Sequence, residues 1–148
     1  MERGEIAQRN FENGCNCAQA VLLAFSDRTG LDEATAMRVA SGFGGGMARM
    51  REVCGAISGM FMAAGLILGS DDVMPRERKA ALYAQLQTLA EEYRAKNGSI
   101  LCRELLAGVR TEAGGVPEAR TEQYYRKRPC GALCRCAAEL LEEYLAQR

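Results

Sequence analysis

The chain has 148 residues, room for one domain with a substantial core. Lysine plus arginine and aspartate plus glutamate are balanced at 19 each, so nothing in the charge selects a polyanion and nucleic-acid binding is not expected. There is no histidine and no tryptophan, which removes a histidine general base, a Cys/His dyad, a Cys₂His₂ zinc site and a c-type haem attachment.

Residues 2–12 form an amphipathic helix pattern with Ile6, Ala7 and Phe11 on one side, stopped by Gly14. Met1–Asn10 is charged and lacks an apolar region, so no signal peptide is expected and the default compartment is the cytoplasm. Asn16-Cys17-Ala18-Gln19 reads as a capping box opening a helix to about Thr29, with Ala18, Val21, Leu22 and Phe25 as its apolar stripe and Gly30 as its stop. Asp32 caps a further helix to about Ser41.

A glycine cluster follows, Gly42, Gly44, Gly45 and Gly46. It lacks the Gly-Lys-Ser/Thr of a nucleotide loop, and its plain reading is a tight helix connection that leaves Cys54 accessible. From Val53 to Leu68 no residue is charged. That run is short of the about 20 residues a membrane span needs, so it is expected as a central helix buried on all sides, with Cys54 in its first turn. Gly55, Gly59 and Ala63 strip one face of it for close approach. Met47, Met50, Met60 and Met62 read as core filler. Arg49 and Arg51 are expected to face water, or else to stabilise the Cys54 thiolate.

Pro75 to Lys96 is the longest helix pattern, with Leu82, Leu86, Leu89 and Tyr93 inward and Asn97-Gly98 as its end. Ser99 caps a short helix, 100–106, carrying Cys102. Residues 108–117 read as a loop and 118–127 as a weaker helix, with Tyr124 and Tyr125 packed hydroxyl-out and Arg126-Lys127-Arg128 solvated. Cys130–Ala146 is the last helix, with Leu133, Leu140, Leu141 and Tyr144 inward. No stretch alternates as a strand does. The expectation is an all-α single domain, 1–148, a bundle of seven to eight helices around the Gly/Ala-rich central one. Its surface, rich in alanine and leucine, leaves a homodimer open.

Seven cysteines in a chain expected in the reducing cytoplasm point to metal binding or redox chemistry. Cys17, Cys54, Cys102 and Cys130 each fall near a predicted helix start, where free N–H groups and the helix dipole favour a thiolate. A lowered thiol pKa is therefore expected there. Cys15 stands one residue from Cys17. Cys130 and Cys134 share a helix face while Cys136 points away, and Cys134 and Cys136 read as buried thiols. No C-x2-C pair marks a zinc ribbon.

The order Cys17 in NCAQAV, then SGFGGGM, then CGAISG from Cys54, then Cys102 in SILCRELL, then Cys130 before a terminal helix resembles the redox-active family named C_GCAxxG_C_C. That family is related to part of the split-Soret cytochrome c proteins. The resemblance implies a small helical protein with a redox role and four clustered cysteines, which map onto Cys17, Cys54, Cys102 and Cys130. No haem is expected to carry over. Four thiolates suffice for an iron–sulfur cluster and electron transfer, with those four as ligands. The alternatives are a metal-free thiol–disulfide oxidoreductase using Cys17 and Cys54, and a zinc-binding or structural module without turnover. Whether the chain is an enzyme, and its redox partner, are left open by the residues.

Overall fold

A computed structural model describes residues 2–109, 111 and 114–148; three residues of the expected 108–117 loop, Arg110, Glu112 and Ala113, lie outside the described residues. The helices are α1 (Arg3–Glu12), α2 (Cys17–Leu23), α3 (Ser26–Thr29), α4 (Glu33–Val39), α5 (Gly55–Leu68), α6 (Arg76–Asn97), α7 (Cys102–Leu105), α8 (Glu122–Lys127) and α9 (Cys130–Ala146). The fold is an all-α single domain, with nine α-helices among the described residues rather than seven or eight. The difference comes from short turns that the pattern merged or extended. The expected helix from Cys17 to Thr29 breaks at Ala24-Phe25, where the chain tightens into i→i−3 bonds and the Ser26 hydroxyl takes the Leu23 carbonyl. A single 3₁₀ turn, Ser41–Phe43, follows α4.

The core is built by α1, α2, α5 and α9. Helix α9 lies along α1 and also meets α2, α5 and α6, while α2 lies along α5. The capping box is present: Asn16 Oδ1 accepts from the Gln19 N–H at 2.8 Å, and Gln19 Oε1 accepts from the Asn16 N–H at 2.9 Å. Phe11, Val21, Leu22, Phe25, Ile57, Met60, Leu89 and Leu141 are buried.

The small-residue face of α5 does what its spacing suggests. A Cβ on Gly59 would lie 2.5 Å from the Ala18 carbonyl oxygen, and one on Gly55 would lie 3.0 Å from Cys17 Cβ. The bare backbone thus lets α2 and α5 touch. Helix α5 is not buried on all sides, however. Leu66 is exposed, and Phe61 and Met62 are partly exposed, because no element covers that flank. Met47 and Met50 are also exposed, so of the four methionines expected in the core only Met60 is fully inside.

In α6 only Leu89, Ala90 and Tyr93 are buried. Leu82 and Leu86 are half-exposed, and of the two Leu86 packs against the core. Ser99 does not cap a helix at Ile100. Its hydroxyl accepts from the Leu101 N–H, and Leu101 makes an isolated antiparallel bridge with Val53 before α7 begins at Cys102. Helix α8 starts four residues later than expected, because Thr121 is its cap, accepting from the Tyr124 N–H.

Candidate redox site

Four helix starts converge on one cavity. Cys17, Cys102 and Cys130 are the first residues of α2, α7 and α9, and Cys54 is the N-cap of α5. All four line a cavity of about 560 Å³. Local structure explains the convergence. The Val53–Leu101 bridge sets two strand-like segments side by side, with the Cys54 N–H on the Ile100 carbonyl at 2.8 Å and the Cys102 N–H on the Glu52 carbonyl at 2.7 Å. The α2–α5 contact at Gly55 brings Cys17 next to them, and α9 delivers Cys130.

The glycine cluster forms a wall of the same cavity. It winds left-handed: Gly45, Gly46, Met47, Ala48, Arg49 and Arg51 all have φ between +49° and +70°. Four of these are not glycine, a conformation that L residues rarely adopt. Bonds such as Arg49 N–H to the Gly44 carbonyl (3.0 Å) and Glu52 N–H to the Gly46 carbonyl (2.9 Å) hold it. At Gly46 a Cβ would lie 2.6 Å from Cys102 Cβ, so only glycine lets the loop lie against that cysteine.

Among the sulfurs, Cys17 is the one on which both the Cys130 and the Cys134 thiols act. Cys134 is wholly buried and sits 3.9 Å from the Cys17 carbonyl. It therefore joins the cluster, although it lies outside the four-cysteine pattern. Its signal was the i, i+4 spacing from Cys130, which puts both on one face. Cys54 Sγ meets the Tyr93 hydroxyl at 3.3 Å. Tyr93 was legible as a buried position but not as a partner of sulfur. Cys102 Sγ takes an Arg51 N–H at 3.6 Å. Cys15 and Cys136 stand apart, beside Met37 and Asn97 respectively.

The expected lowering of the thiol pKa is not what the surroundings produce. At Cys17 the influence of Cys130 favours the thiolate, but that of Cys134, burial and the neighbouring sulfurs outweigh it, and the thiol is pushed well up. Cys130 is pushed up by Cys17 and then by burial. Burial pushes Cys54 up to about 11, against the partial relief of the Tyr93 hydrogen bond. Burial likewise raises Cys134, and raises Cys102 against the pull of Arg51. Helix starts favour charge only where the sulfur keeps solvent or a cation, and desolvation wins here.

Arginines ring the cavity. Arg49 and Arg51 are largely buried rather than facing water, and Arg51 addresses Cys102, not Cys54. Arg128, expected in a solvated run, has a side chain only 5% exposed; it pairs with Glu118 at 3.0 Å and lies over the Tyr124 ring. Arg126 and Lys127 are exposed as expected. Glu118 also receives Arg49 at 2.8 Å. Arg120 gives an N–H to the Phe11 carbonyl and stacks on the Phe11 ring. Tyr125 gives its hydroxyl to the Glu12 carbonyl, whereas half-buried Tyr124 lines the cavity.

The donor set has the number and softness that zinc or an iron–sulfur cluster takes. Its placement does not fit: among the described residues no three cysteine or carboxylate groups are disposed to hold a metal ion. Among the described residues, too, no helix is long and apolar enough to cross a membrane. A family model described as "Putative redox-active protein (C_GCAxxG_C_C)" matches residues 15–144. No curated protein and no solved structure matches the chain.

Proposed function

Because the chain belongs to the C_GCAxxG_C_C family of redox-active proteins, we propose that its redox chemistry is the reversible joining of Cys17 and Cys130 in a disulfide. The observation that supports this reading is that the two thiols, each on the first residue of its helix, line one open cavity and act on each other there. Cys17 is the attacking sulfur in this reading, since the influence of Cys130 favours its thiolate, and Cys130 is the resolving one. Attack on a partner disulfide R–S–S–R gives a mixed disulfide and one RS⁻, which takes up the Cys17 proton. Cys130 then displaces the second RS⁻, which takes the Cys130 proton. The balance is two protein thiols and one disulfide in, one protein disulfide and two RSH out. Cys54 meets the Tyr93 hydroxyl and Cys102 accepts from Arg51, and in this reading both are neighbours of the pair rather than members of it.

The test is thiol counting and disulfide mapping of reduced protein after oxidation. Two thiols should disappear into a Cys17–Cys130 bridge. Cys17→Ser and Cys130→Ser should abolish it, and Cys54→Ser should leave it intact. A bridge mapped from Cys17 to Cys54, or no loss of thiols, refutes the assignment.

A second reading is favoured by the four cysteines facing one arginine-lined cavity. In it Cys17, Cys54, Cys102 and Cys130 would move to hold an iron–sulfur cluster, which when bound would supply one-electron transfer. Protein prepared without oxygen would then show visible absorption with stoichiometric iron and sulfide. Zinc with no colour, and thiols unchanged by oxidant, would instead identify a structural module.

A further inference from the structure

Both cysteines of the proposed pair open onto the cavity, so whatever takes their electrons must enter it or reach into it. The wall is chemically lopsided. The whole chain carries no net formal charge, yet among the described lining residues four arginines meet one glutamate. Glu118 is already engaged by Arg49 and Arg128. Arg51 Nη2 is buried with no hydrogen-bond partner, and its 3.7 Å approach to Glu118 is too long for one. A buried guanidinium N–H left so is costly, and an entering carboxylate oxygen would satisfy it. Arg120 and Arg128 are stiffened over the Phe11 and Tyr124 rings, so their guanidiniums are planar, fixed and ready for a carboxylate. The space, about 560 Å³, falls in the range of small-molecule sites.

We propose that the cavity admits a low-molecular-weight disulfide whose ends carry carboxylates, received by Arg51, Arg120 and Arg128 while its sulfur is presented to Cys17. This rests on the thiol–disulfide reading above and names its substrate class. The chemistry is the exchange already balanced: the small disulfide is reduced to two thiols, and Cys17 and Cys130 are oxidised to one disulfide. The arginines act on the carboxylates and add no electrons.

The experiment compares three disulfides of nearly equal size: dithiodipropionate (anionic), cystamine (cationic) and hydroxyethyl disulfide (neutral). Loss of the two thiols from full-length reduced protein is timed with each. Every rate is divided by that of free mercaptoethanol with the same probe, which removes the probe's own reactivity. The anionic probe should be at least about tenfold faster than the cationic one on this scale. The preference should shrink as ionic strength rises from about 0.01 to 1 M, where the Debye length falls from about 30 to 3 Å. Arg120→Gln with Arg128→Gln should reduce it to about threefold or less. Because the comparison is a ratio, a change in thiol reactivity caused by losing a neighbouring cation cancels. The salt series on the unaltered protein stands even where that variant does not fold. Equal normalised rates, or a preference for cystamine, overturn the substrate class while leaving the Cys17–Cys130 pair in place. Failure of all three probes to form that disulfide overturns both.

Discussion

Two glycines of one helix offer a comparison in which the same substitution has opposite signs. Gly59 and Gly65 both lie inside α5. Alanine at either gains about 1 kcal/mol of helix propensity. At Gly65 the new Cβ meets nothing within 4 Å, so the gain is kept. At Gly59 it lies 2.5 Å from the Ala18 carbonyl oxygen and 3.0 Å from Ala18 Cα. Those atoms are backbone and cannot swing aside, so α2 and α5 must part. Overpacking of this kind costs about 1–3 kcal/mol, and against a rigid backbone the upper half of that range applies. Gly59→Ala should therefore lose about 1–2 kcal/mol net while Gly65→Ala gains about 1. For a chain of this size that is a fall of about 2–8 °C in Tm against a rise of about 2–4 °C. Urea denaturation with unchanged m value gives the free energies directly. The displaced α2 carries Cys17, so Gly59→Ala should also slow formation of the Cys17–Cys130 bridge. Shifts of the same sign in the two variants would refute the claim that close backbone approach is what Gly59 provides.

Tyr93→Phe removes a hydrogen bond that favours the ionised form of Cys54, so the pH at which Cys54 becomes open to alkylation should move up from that of the unaltered protein. Stability of the reduced protein should fall in alkali. The Cys54 thiol titrates at about 11 when folded against 9.0 in the reference state, so its contribution is complete below pH 9 and is lost as pH climbs through 11, about 3 kcal/mol by urea titration. Oxidation by a neutral disulfide should accelerate up to high pH rather than level off near the about 8.5 of a free thiol, because the attacking sulfur at Cys17 is held protonated. Glu118→Gln removes the acceptor that Arg49 and Arg128 share and should cost about 1–3 kcal/mol, partly recovered in high salt.

The periodic and capping signals were readable because they are local. Asn16 with Gln19, Pro75, the Asn97-Gly98 stop and the span of α9 all follow from residues within one turn of one another. Cys17, Cys54, Cys102 and Cys130 were marked by their place at helix starts, and all four line one cavity. What misled was treating a helix start as if it were always solvated. The same closeness that gathers the sulfurs also strips their water, and the thiols hold their protons. Arg128 was hidden because a basic run looks solvated until Glu118, ten residues earlier, is folded back against it. The exposure of Leu82 was unreadable, since it keeps the inward spacing of Leu86, Leu89 and Tyr93 without their packing against the core.

The left-handed run from Gly45 to Arg51 inverts the usual rules of tolerance. Elsewhere a glycine loosens the chain, but at Met47 and Ala48 it would relieve torsion that the native side chains endure, about 1 kcal/mol at each. Natural residues there are thus the less comfortable choice. A hardier protein is within reach of two substitutions, and the wall that carries Arg49 and Arg51 would be the part to slacken.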